Sequence, residues 1–270
     1  MRKRAIVVAV SGAFALSALA VPAAQAAPTA APNVTFSNLK VNKGKAVVVG
    51  PTAKVTVTAT YTVTKPANLS TGSFLSGPVL YRGTTLNAGS DSILGDNPGT
   101  CTAASTTVLN CTAKIEFRPD AAEAYDDLTN SQAGTWKLGA LAVPDDAESE
   151  SDLKWQGNLG TVKVQRAAKL TVDATPEPVK KGKTLTVTGK LTRANWDTNK
   201  YAGYAAQPVK LQFKKKGSST YTTVKTIKTS STGTLKTTVK ASADGYFRYT
   251  FAGTTTTPAV TTAGDFVDVK

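Results

Sequence analysis

Histidine is absent from all 270 residues of this sequence. It is the commonest general base near neutral pH and the commonest neutral metal ligand, so its absence excludes Ser-His and Cys-His catalysis. The stretch "GKT" at 182–184 lacks the leading glycine of a phosphate-binding loop. Ser-x-x-Lys occurs at Ser37/Lys40 and at Ser151/Lys154, without a K-T-G partner. We therefore expect no catalytic residues and no enzymatic activity.

Cysteine is scarce as well. Only Cys101 and Cys111 are present, in "CTAASTTVLNC". In an oxidising compartment their simplest interpretation is a disulfide, since a catalytic thiol or a zinc pair would have no histidine or further cysteine to work with. The chain-entropy model gives so short a loop about 2.5–3 kcal/mol of stabilisation.

Long apolar runs are missing after the first residues. The single such run extends from Ala5 to Val21, follows "RKR" and precedes "PAAQAA", whose small residues suit a signal peptidase. It is shorter than the roughly 20 apolar residues of a membrane span. The pattern predicts a cleaved signal peptide at 1–26 and a flexible N-terminus at 27–32. We expect a secreted protein, extracellular or cell-wall-associated, with no membrane span after cleavage.

Alternating apolar and polar residues dominate the rest of the chain. In "KVTVTATYTVT" (54–64), valine, alanine and tyrosine fall on one side and mainly threonine on the other, which is the period of a half-buried strand. The same alternation recurs in four later segments, with turn compositions between them. These segments are 183–192, 208–213, 234–240 and 246–251. Short strands at this spacing predict an all-β fold built of sandwiches.

A domain boundary is expected near "VQRAAKLTVDATPEP". The segment 160–166 has the pattern of a last strand and 169–175 that of a first one, so two tandem sandwiches at 33–166 and 167–270 fit the length. Charge divides at the same place. The first domain has as many basic as acidic residues, whereas the second has 17 basic and 6 acidic, a net charge of +11. That exceeds the roughly 2–8 charges that solubility asks of a small domain.

The second domain resembles a known family of repeats. The strand "GKTLTVTGKL", the strand "PVKLQF", a glycine at the next hairpin and an aromatic strand that ends in "FAG" are similar to the bacterial immunoglobulin-like repeats of exported actinobacterial, Streptomyces-like proteins. In the first domain, "AGTWKLGALAVPDD" (133–146) resembles one strand of such a repeat and the acidic turn after it. The resemblance implies two tandem immunoglobulin-like β-sandwiches. Some proteins of this type are labelled calcium-binding, so Ca²⁺ is a cofactor that the resemblance implies.

The acidic segment "DDAESESD" (145–152) contains five of the eighteen carboxylates of the chain. Calcium takes six to eight oxygen ligands, and these carboxylates stand at nearly alternate positions. The segment lacks the D-x-[DN]-x-[DN]-G spacing of a calcium loop, and a run of like charges is also typical of a solvated turn. Both interpretations stay open. The candidate metal ligands are Asp145, Asp146, Glu148, Glu150 and Asp152.

Two other loops and three tryptophans are weaker candidates. "YDDLTN" (125–130) offers Asp126, Asp127 and Asn130, and "NWDTNK" (195–200) offers Asp197 and Asn199 in a partial D-x-N pattern. A tryptophan can stack on a sugar, but one tryptophan per sandwich is more often core. Of Trp136, Trp155 and Trp196, the loop residue Trp196 is the one expected to be exposed.

The basic second domain points to a polyanionic partner. If the strands of 208–213 and 246–251 lie side by side, Lys210, Lys214 and Arg248 share one outer face, while Lys190, Lys236 and Lys240 point out from the opposite sheet. We expect a non-catalytic binding module that holds an anionic cell-wall polymer or a surface protein. The alternative is a calcium-binding structural protein. No nucleic-acid-binding motif is present, which argues against nucleic acid.

Overall fold

The computed structural model describes residues 30–119 and 128–270. The predicted signal peptide (1–26), residues 27–29 of the predicted N-terminal segment, and the candidate ligands Asp126 and Asp127 lie outside these ranges. Within the described ranges, no helix is long and apolar enough to cross a membrane.

In the described ranges before residue 167, ten strands form two sheets. One sheet has the order β1-β3-β7-β6 and the other β2-β10-β8-β4-β5, with β9 paired to β8. Short 3-10 helices occupy Asn42–Gly44, Asn130–Gln132 and Glu150–Asp152. The strands are β1 (Thr35–Val41), β2 (Val47–Val49), β3 (Val55–Thr64), β4 (Phe74–Tyr81), β5 (Ser92–Leu94), β6 (Thr100–Ala103), β7 (Val108–Phe117), β8 (Gly134–Pro144), β9 (Lys154–Gln156) and β10 (Thr161–Arg166).

Ten further strands follow residue 166 and also form two sheets. In one of them β13 pairs with β11, β12, β14 and β17, and the other has the order β16-β15-β18-β19 with β20 also paired to β18. The strands are β11 (Ala168–Leu170), β12 (Asp173–Thr175), β13 (Thr184–Asn195), β14 (Lys200–Gly203), β15 (Pro208–Lys215), β16 (Thr222–Lys228), β17 (Thr234–Lys240), β18 (Gly245–Phe251), β19 (Val260–Thr261) and β20 (Asp265–Val267).

The apolar residues that alternate in the sequence form the buried cores of the sheets. Along β3, four alternate residues are buried while the threonines between them are at least partly exposed. The buried residues are Val57, Ala59, Tyr61 and Val63. Along β13 and β18, Val187 and Tyr249 are fully buried, and the Tyr249 hydroxyl donates to the Val187 carbonyl at 3.0 Å. Burial of the phenol raises the pKa of Tyr249. A tyrosine whose hydroxyl has a partner can thus stand inside an apolar core.

The prediction of an all-β fold is confirmed. After residue 166, the long strand β13 pairs with β17 rather than with the next long strand β15, which pairs with β18 in the other sheet. The chain therefore alternates between two facing sheets, as it does in immunoglobulin-type Greek-key sandwiches. In the earlier sheets, β2 pairs with β10 in parallel, whereas the pairs β1–β3, β4–β5, β4–β8, β6–β7 and β8–β9 are antiparallel.

The described chain forms two compact units. The first contains residues up to Lys45, Thr56–Glu116 and Trp136–Val162. The second contains Ala46–Val55 and Phe117–Thr135 together with Lys163–Lys270. Two short segments from the earlier part of the chain thus belong to the later compact unit. The division into domains at residues 166 and 167 stays a prediction.

The predicted disulfide between Cys101 and Cys111 is confirmed. The two cysteines are directly opposite each other on the antiparallel strands β6 and β7, with their Cα atoms 4.1 Å apart. The bridge fastens the edge strand β6 to its neighbour. Edge strands have one side without a partner strand, so a covalent link there restrains the part of a sheet that frays most easily.

Candidate functional site

The acidic segment 145–152 follows β8 and ends in a 3-10 helix. Asp145, Asp146, Glu148 and Glu150 are exposed, whereas Asp152 is buried. In the described parts of the chain, no three acidic or cysteine side chains lie close enough together to hold a metal ion. The five carboxylates of this segment are therefore not gathered around a common point. Calcium binding by this segment therefore stays a prediction.

Asp152 organises the segment instead of facing the solvent. Its Oδ2 accepts hydrogen bonds from the backbone N–H groups of Glu148 at 2.9 Å and Ser149 at 2.8 Å. These two backbone hydrogen bonds are the main reason why the pKa of Asp152 is lowered from its ordinary value of 3.8. The hydroxyl of Ser149 also lies 3.0 Å from the same oxygen. The carboxylate thus acts as a cap for the backbone of its own turn.

Asn130, from one of the two weaker candidate loops, contacts the other loop inside the second unit. The backbone N–H of Asn130 donates to Asp197 Oδ1 at 2.9 Å, and the Asn130 side-chain amide donates to Asp197 Oδ2 and to Asn195 Oδ1. The Asn199 amide donates to the backbone carbonyls of Pro119 at 2.8 Å and Pro51 at 3.1 Å. These polar groups join segments of the unit to one another.

Trp196 is 2% exposed, so the prediction that it is exposed was wrong. Its indole N–H lies 3.0 Å from the carbonyl oxygen of Gly50 and 3.3 Å from that of Val49. Its backbone N–H donates to the Asn130 side chain at 3.0 Å. The loop is covered because segments distant in sequence pack on it. Trp196 is therefore a core residue of the second unit rather than a platform for a sugar.

The register of β15 and β18 places the predicted polyanion-binding residues on one sheet. Lys210 is opposite Thr250, Gln212 is opposite Arg248, and Lys214 is opposite Tyr246. The residues between them, such as Leu211 and Tyr249, are buried in the core. Since side chains alternate along a strand, the predicted residues Lys210, Lys214 and Arg248 all point away from the core.

Aromatic rings surround two of these cations. The Lys214 ammonium lies 4.8 Å from the ring centroid of Tyr246 and 5.1 Å from that of Tyr221. The guanidinium carbon of Arg248 lies 3.7 Å from the Tyr221 centroid. Tyr246 in turn contacts Phe266, with ring centroids 5.1 Å apart. We call these five residues the aromatic–basic face. Such distances are typical of cation–π contacts, which hold a cation in place without neutralising it.

Tyr221 reaches this face from the turn before β16. A Cβ atom added at Gly264 would lie 2.3 Å from the Tyr221 hydroxyl oxygen and 3.0 Å from the Cβ of Tyr246. The absence of a side chain at Gly264 therefore makes room for the end of Tyr221. The Tyr221 ring thus lies against Arg248 of β18. Tyr221 and Tyr246 are both half-buried.

The two cations of the face retain donors for a ligand. Arg248 Nε donates to Gln212 Oε1 at 2.8 Å. Among the residues that the structure describes, the terminal nitrogens of Arg248 and the Lys214 ammonium have no hydrogen-bond or ion-pair partner. The nearby acids are engaged elsewhere: Asp244 accepts from Val269 N at 2.9 Å and pairs with Lys216, and Asp265 accepts from Ala174 N at 2.7 Å.

The opposite sheet also carries positive charge. Lys190, Lys236 and Lys240 are exposed on the outer side of β13 and β17. Lys240 donates to the Thr184 hydroxyl at 3.2 Å. Within the described residues, no aromatic ring contacts any of these three lysines. These three lysines thus share the positive charge of the aromatic–basic face but have no ring beside them, although Lys169 on the same sheet lies 4.1 Å from the Tyr201 ring centroid.

Sequence reasoning missed three members of this arrangement. Phe266 lies in "GDFVDV", where its alternation with the buried Val267 could have indicated an outward ring beside Tyr246. Gln212 alternates with Leu211 in the same way. Tyr221 has no such signal because it stands in the turn before a strand, and only the fold brings it over Arg248.

A cavity of about 280 Å³ lies in the first unit, beside the disulfide. Its lining combines apolar side chains, glycines and hydroxyls, and includes Cys101 of the disulfide. None of its lining residues is acidic or basic. The lining residues are Thr71, Gly72, Phe74, Leu75, Ser76, Gly99, Cys101, Ala103 and Leu109.

No protein-family model and no curated protein matches this chain. Among solved structures, it is similar to the full ectodomain (Ig1–Ig3) of mouse nectin-like molecule 4, at 15% identity and a TM-score of 0.27, over 89% of this chain and 65% of that one. It is similar to the D0–D1 domain of intimin at 15% identity and a TM-score of 0.27, over 87% of this chain and 97% of that one. For the Yersinia pseudotuberculosis adhesin InvE the identity is 15% and the TM-score 0.24, over 87% of this chain and 58% of that one. This chain thus spans less than two thirds of the first and third of these proteins.

Proposed function

We propose that this protein is a non-catalytic binding module that works outside the cell and holds an anionic cell-wall polymer on the aromatic–basic face. The observation that carries the proposal is the pair Lys214 and Arg248, two cations with unused donors on one outer sheet face. Lys210, on the same side of β15, extends the positive charge along the strand. Residues 167–270 supply the long-range field, with 17 basic and 6 acidic residues.

The positive field attracts the polymer, and the face fixes where it rests. Charges on exposed side chains are screened over about 8 Å at physiological ionic strength, so association through them weakens as salt is added. An extended polyanion fits this scheme because it contacts several cations at once, each of them weakly. A surface protein with an acidic patch is the other partner class that such a face would attract.

Retention on a cell-wall preparation tests the proposal. The protein should bind the intact preparation at low salt, elute as salt rises, and bind much less to the same preparation after its anionic polymers have been extracted. Equal binding to the extracted preparation, or retention that does not weaken with salt, would contradict the proposal. The calcium hypothesis predicts no such dependence on salt.

A further inference from the structure

The aromatic–basic face offers two kinds of contact within one small area. Lys214 and Arg248 present charged donors, while the rings of Tyr221 and Tyr246 beside them are half-buried and so stay partly open to solvent. A ligand that uses both must alternate an anionic group with a flat, partly apolar body. Sugar rings that carry carboxylates have this composition, since one side of a pyranose ring exposes C–H groups and its rim carries polar groups.

We infer that the ligand class of this face is an acidic polysaccharide whose sugar rings carry carboxylates, an inference that rests on the proposed function and makes it more specific. Arg248 is the residue suited to the carboxylate. Its guanidinium is fixed by Tyr221 on one side and by Gln212 at Nε, which leaves the terminal nitrogens as a fork for two oxygens. Lys214, between Tyr221 and Tyr246, adds a second charge beside the rings.

A chain of phosphates without rings fits this face less well. Such a polymer gains only from positive charge, and Lys190, Lys236 and Lys240 on the opposite sheet offer charge without aromatic neighbours. It would therefore bind both faces to a similar extent. A polymer of carboxylated sugars gains additionally from the rings and should prefer the face that has them. Ring contact is the feature that separates the two ligand classes.

The experiment measures affinity for three polymers of similar length at one salt concentration: polygalacturonate, polyphosphate and dextran. They supply rings with charge, charge alone and rings alone. We expect the full chain to bind polygalacturonate most tightly, polyphosphate more weakly, and dextran not measurably. Tyr221→Leu should weaken binding to polygalacturonate by about tenfold and leave binding to polyphosphate within about twofold.

Two further variants make the result specific to the face. Tyr201→Leu is the matched control, because Lys169 lies 4.1 Å from the Tyr201 ring centroid at another place in the same unit. It should change neither affinity. Gly264→Ala removes no ring or charge but displaces the Tyr221 hydroxyl, so it should also weaken polygalacturonate binding. It provides a second test of the Tyr221 ring if Tyr221→Leu folds poorly.

Each outcome decides one of the two proposals. Equal affinity for polygalacturonate and polyphosphate, or equal losses on both polymers in Tyr221→Leu, would overturn the inference about sugar rings and leave the proposed function intact. Binding to dextran as tight as to polygalacturonate would overturn the role of charge in both. Retention of neither polyanion would contradict the proposed function itself.

Discussion

The guanidinium carbon of Arg248 lies 3.7 Å from the centroid of the Tyr221 ring, although 26 residues separate the two along the chain. Arg248 stands at the centre of β18, and Tyr221 reaches it from the turn that precedes β16. The contact leaves the guanidinium of Arg248 positively charged. A side chain as flexible as arginine is thereby held in one orientation, which lowers the entropy that a ligand must overcome when it binds.

Replacement of Trp196 should destabilise the protein strongly. Trp196→Ala would leave a cavity and deprive the carbonyls of Val49 and Gly50 of their donor. We expect a loss of about 3–5 kcal/mol in the free energy of unfolding, measured by circular dichroism in denaturant. Trp196→Phe keeps most of the volume and should cost about 1–3 kcal/mol. A change within about 0.5 kcal/mol for Trp196→Ala would show an exposed loop residue and contradict the structure.

Lys65 is a buried lysine that serves the backbone of the first unit. Its ammonium donates to the carbonyls of Leu69 and Thr106, both at 2.8 Å, and to that of Pro66 at 3.3 Å. Lys65→Met keeps the length of the side chain but leaves these carbonyls without their donor. We expect a loss of about 1–3 kcal/mol in a denaturant titration.

Lys40→Met is the control for that measurement, because Lys40 is an exposed lysine on β1, the strand that pairs with the strand preceding Lys65. Its effect should stay within about 0.5 kcal/mol. Equal effects of the two substitutions would mean that the loss of a positive charge, rather than the loss of the three hydrogen bonds, determines stability.

Asp152 should stabilise its turn without a metal ion. Asp152→Ala removes the acceptor for two backbone N–H groups and should lower the melting temperature by about 2–4 °C, by the same amount in millimolar calcium and in chelator. Because folding lowers this pKa, the stabilisation is complete above the ordinary value of 3.8 and is lost as the pH falls through the lowered one.

The calcium hypothesis predicts a different result from the same melts. A site occupied at a hundred times its dissociation constant would add about 2.7 kcal/mol in calcium alone. That gain would disappear in a variant that combines Asp145→Asn with Asp146→Asn. A destabilisation by Asp152→Ala that is seen in calcium but not in chelator would replace the capping role with a metal-binding one.

How much the sequence predicts depends on how far apart the interacting residues lie along the chain. Alternation over a few residues suffices to predict β3 and β18, and two cysteines in an oxidising context suffice for the disulfide. The inward turn of Asp152 also has a local signal, because Ser149 precedes it by three residues as in a capping box.

Contacts between distant segments have no such local signal. Trp196 is covered through a hydrogen bond to a carbonyl 146 residues earlier, and its own loop has the composition of an exposed turn. Tyr221 is placed by the pairing of β15 with β16 and by the missing side chain at Gly264. The charges of the candidate face are therefore predictable from alternation, whereas its aromatic component depends on the fold.

The most direct test of the proposed function compares two double variants that remove equal charge from the same half of the chain. One combines Lys214→Gln with Arg248→Gln, and the other combines Lys236→Gln with Lys240→Gln on the opposite sheet. Affinity for polygalacturonate and polyphosphate is measured at several salt concentrations after circular dichroism has shown that both variants are folded. We expect the first to lose about tenfold or more in affinity for polygalacturonate and the second to lose less than about twofold. Equal losses in the two double variants would show that net charge alone attracts these polymers and would contradict a binding site on the aromatic–basic face.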